Sequence, residues 1–432
     1  MSRWIFGGAL ALALAGLGCG ETTHGREDGS GNTNWLKPCE ADAECGELSC
    51  LCGSCRNACD AATVCSLEAE ASCSGATSPQ PLASPITLGE HRDADAMPND
   101  LVVGADGSVT LVGGKGPTPF DLTTVYRNFW VSKLSREADV LWSYESENVT
   151  DAADPGRSIV LTAGGETLAL STVYDGQDTP HIRRLDRNGE LVSSFMSTPG
   201  FTTMRTDGRG GFFATGSNRA SDVPNALGRT PTVAWIGQFD PPVIAGSDTP
   251  HWQQERQGLE GSISNILVAS SDGLGNLVVG GSLGTAVDSN ASEPYLARLD
   301  RNGDFVWEQS VPIAEVTHCD ATAVAMLPDG GSLAAIGCGP RWLRAYEADG
   351  AIRWERRIAN GVTALAGLRD GGYVVGYGGG TAHLQRYDAQ HRSMWEVIQE
   401  GCTAFTRLEA EGDAVVALSA CEPGYLLSWY GP

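Results

Sequence analysis

The feature that most constrains this chain is a unit that returns along it, seen most plainly between residues 266 and 311. An apolar run at 266–269 leads through a turn at Asp272 and Gly275 into a second apolar run at 277–279. After a loop come a third run at 295–299, a tight turn through Asp300, Asn302 and Gly303, and a fourth run carrying Trp307. The second run, at 276–281 in this unit, recurs at 109–114, 167–171, 211–216, 332–337, 373–378 and 414–419. Ahead of these segments stand Gly107, Gly165, Gly210, Gly275, Gly330, Gly371 and Gly412, where a tight hairpin wants positive φ. Short antiparallel strands in groups of four, recurring every roughly 40–60 residues, are what a propeller blade requires.

The expected fold is therefore all-β: a seven-bladed β-propeller with four-stranded antiparallel blades over residues 84–432. Six and eight blades stay open as alternatives. Third and fourth strands read equally well at 183–191, 297–307, 344–354 and 385–395, and Trp142, Trp307, Trp354 and Trp395 fall at one place in the unit. Indoles so placed are expected to pack between neighbouring blades rather than to serve a cofactor. The last unit ends after its third strand, at 426–430. A bare strand edge invites association, so residues 84–90 are expected to supply the missing fourth strand and clasp both ends of the repeat region in one blade.

Two pairs of cysteines test that alignment. Cys319 and Cys338 are nineteen residues apart, as are Cys402 and Cys421. In each pair the first opens a blade's first strand and the second closes its second strand, so they face each other across a hairpin. That is within a disulfide's reach, and both bonds are predicted.

The N-terminus has another task. Arg3 precedes an apolar run at 4–17, too short to span a bilayer comfortably and placed like the core of a secretory signal. It ends at Leu17, Gly18, Cys19 and Gly20, which resembles the lipobox of bacterial lipoproteins, although Gly16 stands where that family usually has Leu. The resemblance implies that residues 1–19 are a signal segment and that Cys19 carries acyl chains. Anchoring then follows, because two or three chains hold stably where one binds reversibly. Cysteine parity agrees: 13 is odd for an exported chain, and setting Cys19 aside leaves an even number for disulfides. Gly20 after the cysteine resembles lipoproteins sorted to the outer membrane, so the expected location is the cell envelope, periplasmic or surface-exposed.

Residues 20–38 are polar and rich in Gly, Ser and Asn, a flexible tether. Cys39, Cys45, Cys50, Cys52, Cys55, Cys59, Cys65 and Cys73 then crowd a module at 39–73 too short to bury a core. Four disulfides would staple it, in pairings that sequence cannot choose. The rival reading takes Cys50, Cys52 and Cys55 as thiolate ligands of zinc or an iron–sulfur cluster. No histidine lies inside the module, and an exported chain meets oxidant first, so disulfides are preferred. The module resembles Cys-rich segments that precede β-rich bodies in exported proteins of myxobacteria. Residues 74–83 form a Pro/Ser linker.

Composition excludes some functions. A net charge of −24 argues against nucleic acid, whose binding proteins present a basic face, and against electrostatic docking on anionic lipid. The histidines show no metal-protease spacing, and no nucleophile elbow is present. Asp300 and Asp304, with Asp186 and Glu190, weakly suggest a calcium loop but lack its sixth-position glycine and distal glutamate, so a hairpin turn is preferred. The repeats resemble those of quinoprotein-like propellers, without the adjacent cysteine pair of pyrroloquinoline-quinone dehydrogenases. No metal, cofactor or catalytic residue is assigned. First strands at 101–103, 159–161, 266–268, 323–325 and 363–365 are nearly all apolar, which disfavours catalysis in the channel. Loops joining second to third strands are long in the first four units and short thereafter. Arg219, Asp222, Asn225 and Arg229 on the third such loop are the candidate ligand-face residues. The expectation is a monomeric, membrane-anchored lipoprotein whose propeller is a scaffold for a protein or glycan partner. A channel enzyme (lyase, glycosidase or quinoprotein-like) and a purely structural envelope protein are the alternatives.

Overall fold

The computed structural model describes residues 49–51, 54–56, 85–88, 96–116, 128–146, 154–173, 179–196, 200–221, 223–224, 229–240, 249–285, 291–311, 319–338, 341–358, 360–422 and 424–431. Cys19, Cys39, Cys45, Cys52, Cys59, Cys65, Cys73, Asp222 and Asn225 lie outside them, as do the tether and the linker. The chain divides into two units, Met1–Ala58 and Cys59–Pro432. In the first, β1 (Ser49–Leu51) pairs antiparallel with β2 (Ser54–Arg56), with Cys50 opposite Cys55.

The second unit begins with β3 (Ile86–Leu88). Four-stranded antiparallel sheets follow in chain order. One comprises β4 (Ala96–Val103), β5 (Val109–Lys115), β6 (Asn128–Leu134) and β7 (Val140–Glu145). The next has β8 (Gly156–Leu161), β9 (Thr167–Val173), β10 (Thr179–Leu185) and β11 (Leu191–Met196). After it come β12 (Gly200–Thr206), β13 (Phe212–Arg219), β14 (Thr232–Phe239) and β15 (Trp252–Arg256). Then follow β16 (Asn265–Ser271), β17 (Leu277–Gly284), β18 (Ser292–Leu299) and β19 (Phe305–Ser310). A further sheet holds β20 (Asp320–Met326), β21 (Ser332–Gly337), β22 (Arg341–Tyr346) and β23 (Ile352–Ile358).

The remaining strands are β24 (Gly361–Gly367), β25 (Tyr373–Gly378), β26 (Ala382–Tyr387), β27 (Ser393–Gln399), β28 (Cys402–Glu411), β29 (Ala414–Cys421) and β30 (Gly424–Tyr430). A single bridge, Gly378 to Ala404, joins β24–β27 to the group β28, β29, β30 and β3. In that last group β3 completes the set, with Ile86 opposite Leu427 and Leu88 opposite Tyr425. The early strand thus covers the edge that the last hairpin leaves bare.

Burial explains why the second strands are continuous apolar runs. Along β5 and β9 nearly every residue is buried, because each is sandwiched between neighbouring sheets. The outermost strands β7 and β11 instead alternate between half-buried and exposed residues. Core clusters straddle consecutive sheets. Val112 and Phe129 pack with Ile159 and Ala169, and Leu101 and Trp130 pack with Val416 and Trp429, returning the core to its starting sheet. The turn glycines adopt the expected geometry: Gly107, Gly165, Gly210, Gly275, Gly330, Gly371 and Gly412 all have φ between +66° and +100°.

The tryptophans lie between sheets, and Trp142, Trp307 and Trp354 sit on the turn of the next one. Trp142 covers Gly189, Trp307 covers Gly350, and Trp354 meets His391 edge-on at 4.8 Å. Trp395 packs against Tyr430. Trp252, which repeat spacing alone did not reveal, covers Gly303 in the same way. At one sheet the indole is absent. Ser193 holds the tryptophan's register position on β11, and the next sheet reaches β15 through the long connection 240–251. His391 takes the turn position with φ +64°, as Ala138 does with φ +79°, in the left-handed region that glycine occupies at 189, 303 and 350.

Disulfides join Cys319 to Cys338 and Cys402 to Cys421, with Cα separations of 4.8 and 3.8 Å, each across one hairpin. The turns at Asp186 and Asp300 are Asx turns. Asp300 Oδ1 accepts from the amides of Asn302 and Asp304, and Asp186 Oδ1 from those of Asn188 and Glu190. Those carboxylates face their own loops.

The indole-on-glycine contact yields a paired prediction. Gly401 (φ +73°) has open space around it, whereas a Cβ on Gly350 (φ +89°) would lie 2.6 Å from the Trp307 ring. Gly401→Ala should lose about 1–2 kcal/mol from backbone strain alone. Gly350→Ala should lose a further 1–3 kcal/mol or so from overpacking, read by denaturant unfolding; equal losses would refute the wedge.

Candidate functional site: the polar lining of the innermost strands

The innermost strands β4, β8, β12, β16, β20, β24 and β28 lie side by side in that order, and β28 lies against β4. Each has its full ladder on one edge only, with the second strand of its own sheet; on the other edge β28 adds the single bridge from Ala404 to Gly378. Each also carries a bulge, at Asn99, Arg157, Thr202, Leu267, Thr322 and Thr363 and twice on β28. A bulge turns an extra residue out of the ladder, and several of these residues bond to the next strand round. Asn99 Nδ2 donates to Gly156 O (2.7 Å), Thr322 Oγ1 to Val362 O (3.3 Å) and Thr363 Oγ1 to Phe405 O (2.5 Å). Ser158 Oγ accepts from Met204 N (2.9 Å), Ser270 Oγ from Met326 N (3.1 Å), and Ser271 Oγ donates to Thr206 O (2.7 Å).

One junction is ionic. Arg407 Nε on β28 sits 2.5 Å from Asp100 Oδ1 on β4. Asp100 Oδ2 also accepts from Ser158 Oγ (2.8 Å), Ile159 N (3.3 Å) and Arg205 Nη1 (3.2 Å), and Oδ1 from Leu101 N (3.0 Å). Arg205 Nε reaches on to Ala269 O at 2.9 Å. Burial lifts the Asp100 carboxyl above its ordinary range, opposed by Arg407, Ser158 and the amides of Leu101 and Ile159. With both oxygens engaged, Asp100 ties strands together and has no lone pair aimed at a reacting group.

Glu409, two residues beyond Arg407, differs. It is only partly covered yet lies deep among the inner strands, and that depth dominates its chemistry. Burial raises its carboxyl to about 7, while Arg407 pulls it down and Asp100 pushes it up. It makes no hydrogen bond or ion pair with the described residues.

These groups correct the expectation of a nearly apolar channel. The apolar triplets are where they were read, but Asp100 directly precedes the first of them. Arg205, Arg407 and Glu409 lie on β12 and β28, whose first strands that reading left out. The signal was present, in the charges at 205, 407 and 409. What the sequence lacked was the bulge, which breaks strict alternation and re-aims these side chains. Among the described residues, no three or more His, Cys, Asp or Glu side chains are grouped to hold a metal.

Of the loop residues, Arg219 ends β13 and Arg229 lies just before β14; both are exposed and neither is without a partner. The inter-strand gaps at 116–127 and 220–231 are long, and those at 338–340, 379–381 and 422–423 are short. A depression of about 290 Å³ opens where the connection from β15 to β16 meets the start of β18, lined by Leu259, Leu283, Glu293 and Ser310 among others. Leu259 is 52% exposed beside it.

No family model matches the chain, and no curated protein does. Solved structures do. A chain of the mitotic checkpoint complex aligns at a TM-score of 0.50 with 13% identity, covering 82% of this chain and 92% of that one. The fold is propeller-like. The Dos1 propeller (TM-score 0.47, 10% identity, 78% of each chain) is also similar, as is BamB from Moraxella catarrhalis (0.44, 15%, covering 82% of this chain and 98% of that one). At these identities the likeness concerns fold alone.

The Glu409 environment sets a pH dependence. Its native pKa lies above the ordinary carboxyl value, so between about 4.5 and 7 the native state holds a proton the unfolded chain has released. Stability contributed by this group is therefore complete at acid pH and lost as pH rises through 7. Glu409→Gln should remove a loss of up to roughly 3 kcal/mol over that window, measured as unfolding free energy against pH; parallel wild-type and variant profiles would contradict it.

Proposed function

We propose that this chain is a lipid-anchored lipoprotein of the bacterial cell envelope, and that its seven-bladed propeller is a scaffold for a protein or glycan partner. Residues 1–19 act as the signal segment, Cys19 carries the lipid, 20–38 is the tether, and 39–73 is a cystine-stapled module. A linker at 74–83 leads to the propeller at 84–432. The seven-bladed count rests on the seven second-strand segments and on the successive first strands that return from β28 to β4.

One observation carries the scaffold reading. The polar groups of the innermost strands are largely consumed in tying those strands to one another, with Asp100 accepting four hydrogen bonds and facing Arg407 in an ion pair. Recognition then falls to the loops between second and third strands, long on one side of the ring and short on the other. The depression beside Leu259 and Glu293 lies at one of the longer ones. Such a surface suits a binding platform, since a rigid scaffold with variable loops is how β-folds separate stability from recognition. The lipobox at Cys19 and the even number of remaining cysteines support the envelope location.

Two measurements test this. Labelled palmitate should enter the wild type and not Cys19→Ser, and the variant should leave the membrane fraction; label retained in the variant would remove the anchor. Deleting 218–230 should weaken partner capture at least tenfold, about 1.4 kcal/mol of binding, while leaving the melting temperature near that of the wild type. Unchanged capture would remove the loop face.

A further inference from the structure

The depression at the loop end of β16–β19 holds a carboxylate that no cation neutralises. Its floor is the close approach of two backbones: a Cβ on Gly258 would fall 2.2 Å from Gly284 O. That floor has spent its polar groups. The amides of Gly258 and Gly284 donate to Ser264 Oγ at 3.1 and 3.2 Å, and Gly284 O accepts from Leu259 N at 2.8 Å and Ser262 Oγ at 3.1 Å. Leu259 and Leu283 supply aliphatic walls. Among the described residues that line the depression, Glu293 alone is charged.

Glu293 lies on β18, opposite Leu283 on β17. Its Oε2 accepts from Ser310 Oγ, and its Oε1 has no hydrogen bond with a described residue. Arg256, two residues before Gly258, does not turn to it, being held by Glu308 at 2.6 Å. A carboxylate beside an aliphatic wall suits a ligand that brings a cation on a hydrocarbon stem, which is the build of lysine and arginine side chains. An anion would meet Glu293, and no aromatic ring lines the depression to stack on a sugar. Its volume, about 290 Å³, falls just under the roughly 300–1,000 Å³ of sites that take drug-sized ligands. That is room for one long side chain.

We propose that this depression receives the tip of a lysine or arginine side chain displayed by a protein partner, its cation on Glu293 Oε1 and its stem against Leu259 and Leu283. The proposal rests on the scaffold reading and deepens it, choosing a protein partner over a glycan. The floor is already rigid and hydrogen-bonded, so little ordering cost falls on binding.

The test uses the folded chain and two probes, N-acetyl-lysine methylamide and N-acetyl-arginine methylamide, at constant ionic strength. The neutral norleucine analogue, which keeps the stem, is the reference. In methyl NMR spectra Leu259 and Leu283 should shift saturably with at least one cationic probe. The norleucine amide should bind about fivefold more weakly, the upper end for a partly exposed ion pair. Glu293→Gln, which keeps the side-chain shape, should weaken the cationic probe by the same factor. A chain of net charge −24 also gathers cations loosely, so Asp413→Asn, on the turn between β28 and β29, is the control for bulk charge and should leave affinity unchanged. No saturable shift at Leu259 and Leu283, or equal affinity of wild type and Glu293→Gln, overturns the site. Because the probes need no partner, that failure is distinct from failure of the loop face, which the 218–230 deletion reads. Saturable probe binding with partner capture untouched by Glu293→Gln overturns the assignment of the depression to the partner.

Discussion

Every innermost strand in this fold has an edge with nothing beside it but the neighbouring sheet, and the structure depends on how those edges are satisfied. Backbone groups that are buried and unpaired are costly. A continuous ladder to the next sheet is not available, since the sheets meet face to face; the bridge from Gly378 to Ala404 is one isolated backbone link between them. The bulges resolve this. Asn99, Thr322 and Thr363 are displaced from their ladders and donate to carbonyls of the following strand, and Ser158, Ser270 and Ser271 do similar work from regular positions. Short polar side chains suffice because the strands converge towards the axis and little distance separates them.

The junction of β28 with β4 is the exception. There the fold joins strands that are furthest apart in sequence, and an ion pair between Arg407 and Asp100 replaces the neutral hydroxyl bonds. Asp100 also gathers Ser158 and Arg205, so one carboxylate links four inner strands. The same low-dielectric surroundings leave Glu409 poised near neutrality. Further out, closure is apolar: β3 on β30 and the Leu101–Trp130–Trp429 cluster join the early strands to the last hairpin. Stability at this seam therefore combines a pH-sensitive inner layer with a pH-insensitive outer one.

Neighbouring sheets are keyed by a second device nearer the rim. An indole on the fourth strand lies on the turn glycine of the next sheet, at Trp142 with Gly189 and at Trp307 with Gly350. At one sheet both partners are missing, Ser193 standing where the following turn has been replaced by a long connection, whereas Trp395 is kept and packs on Tyr430 instead of a turn. His391 shows the limit of the rule, holding a left-handed backbone against Trp354 where glycine would be expected.

Much of this was legible in the sequence, because it rests on local chemistry. Apolar runs of strand length, turn glycines and nineteen-residue cysteine spacings are properties of neighbouring residues, and they determined the strands, the hairpins, the two disulfides and the strand added at 86–88. The charged lining and the phenols around Arg356 were not legible. Whether Arg205, Arg407 or Arg356 meets solvent, a carboxylate or a ring of phenols depends on bulges and on which sheets are neighbours. Sequence order determines which strands pair within a sheet. Only the packing of one sheet on the next decides what a long side chain meets at the far end.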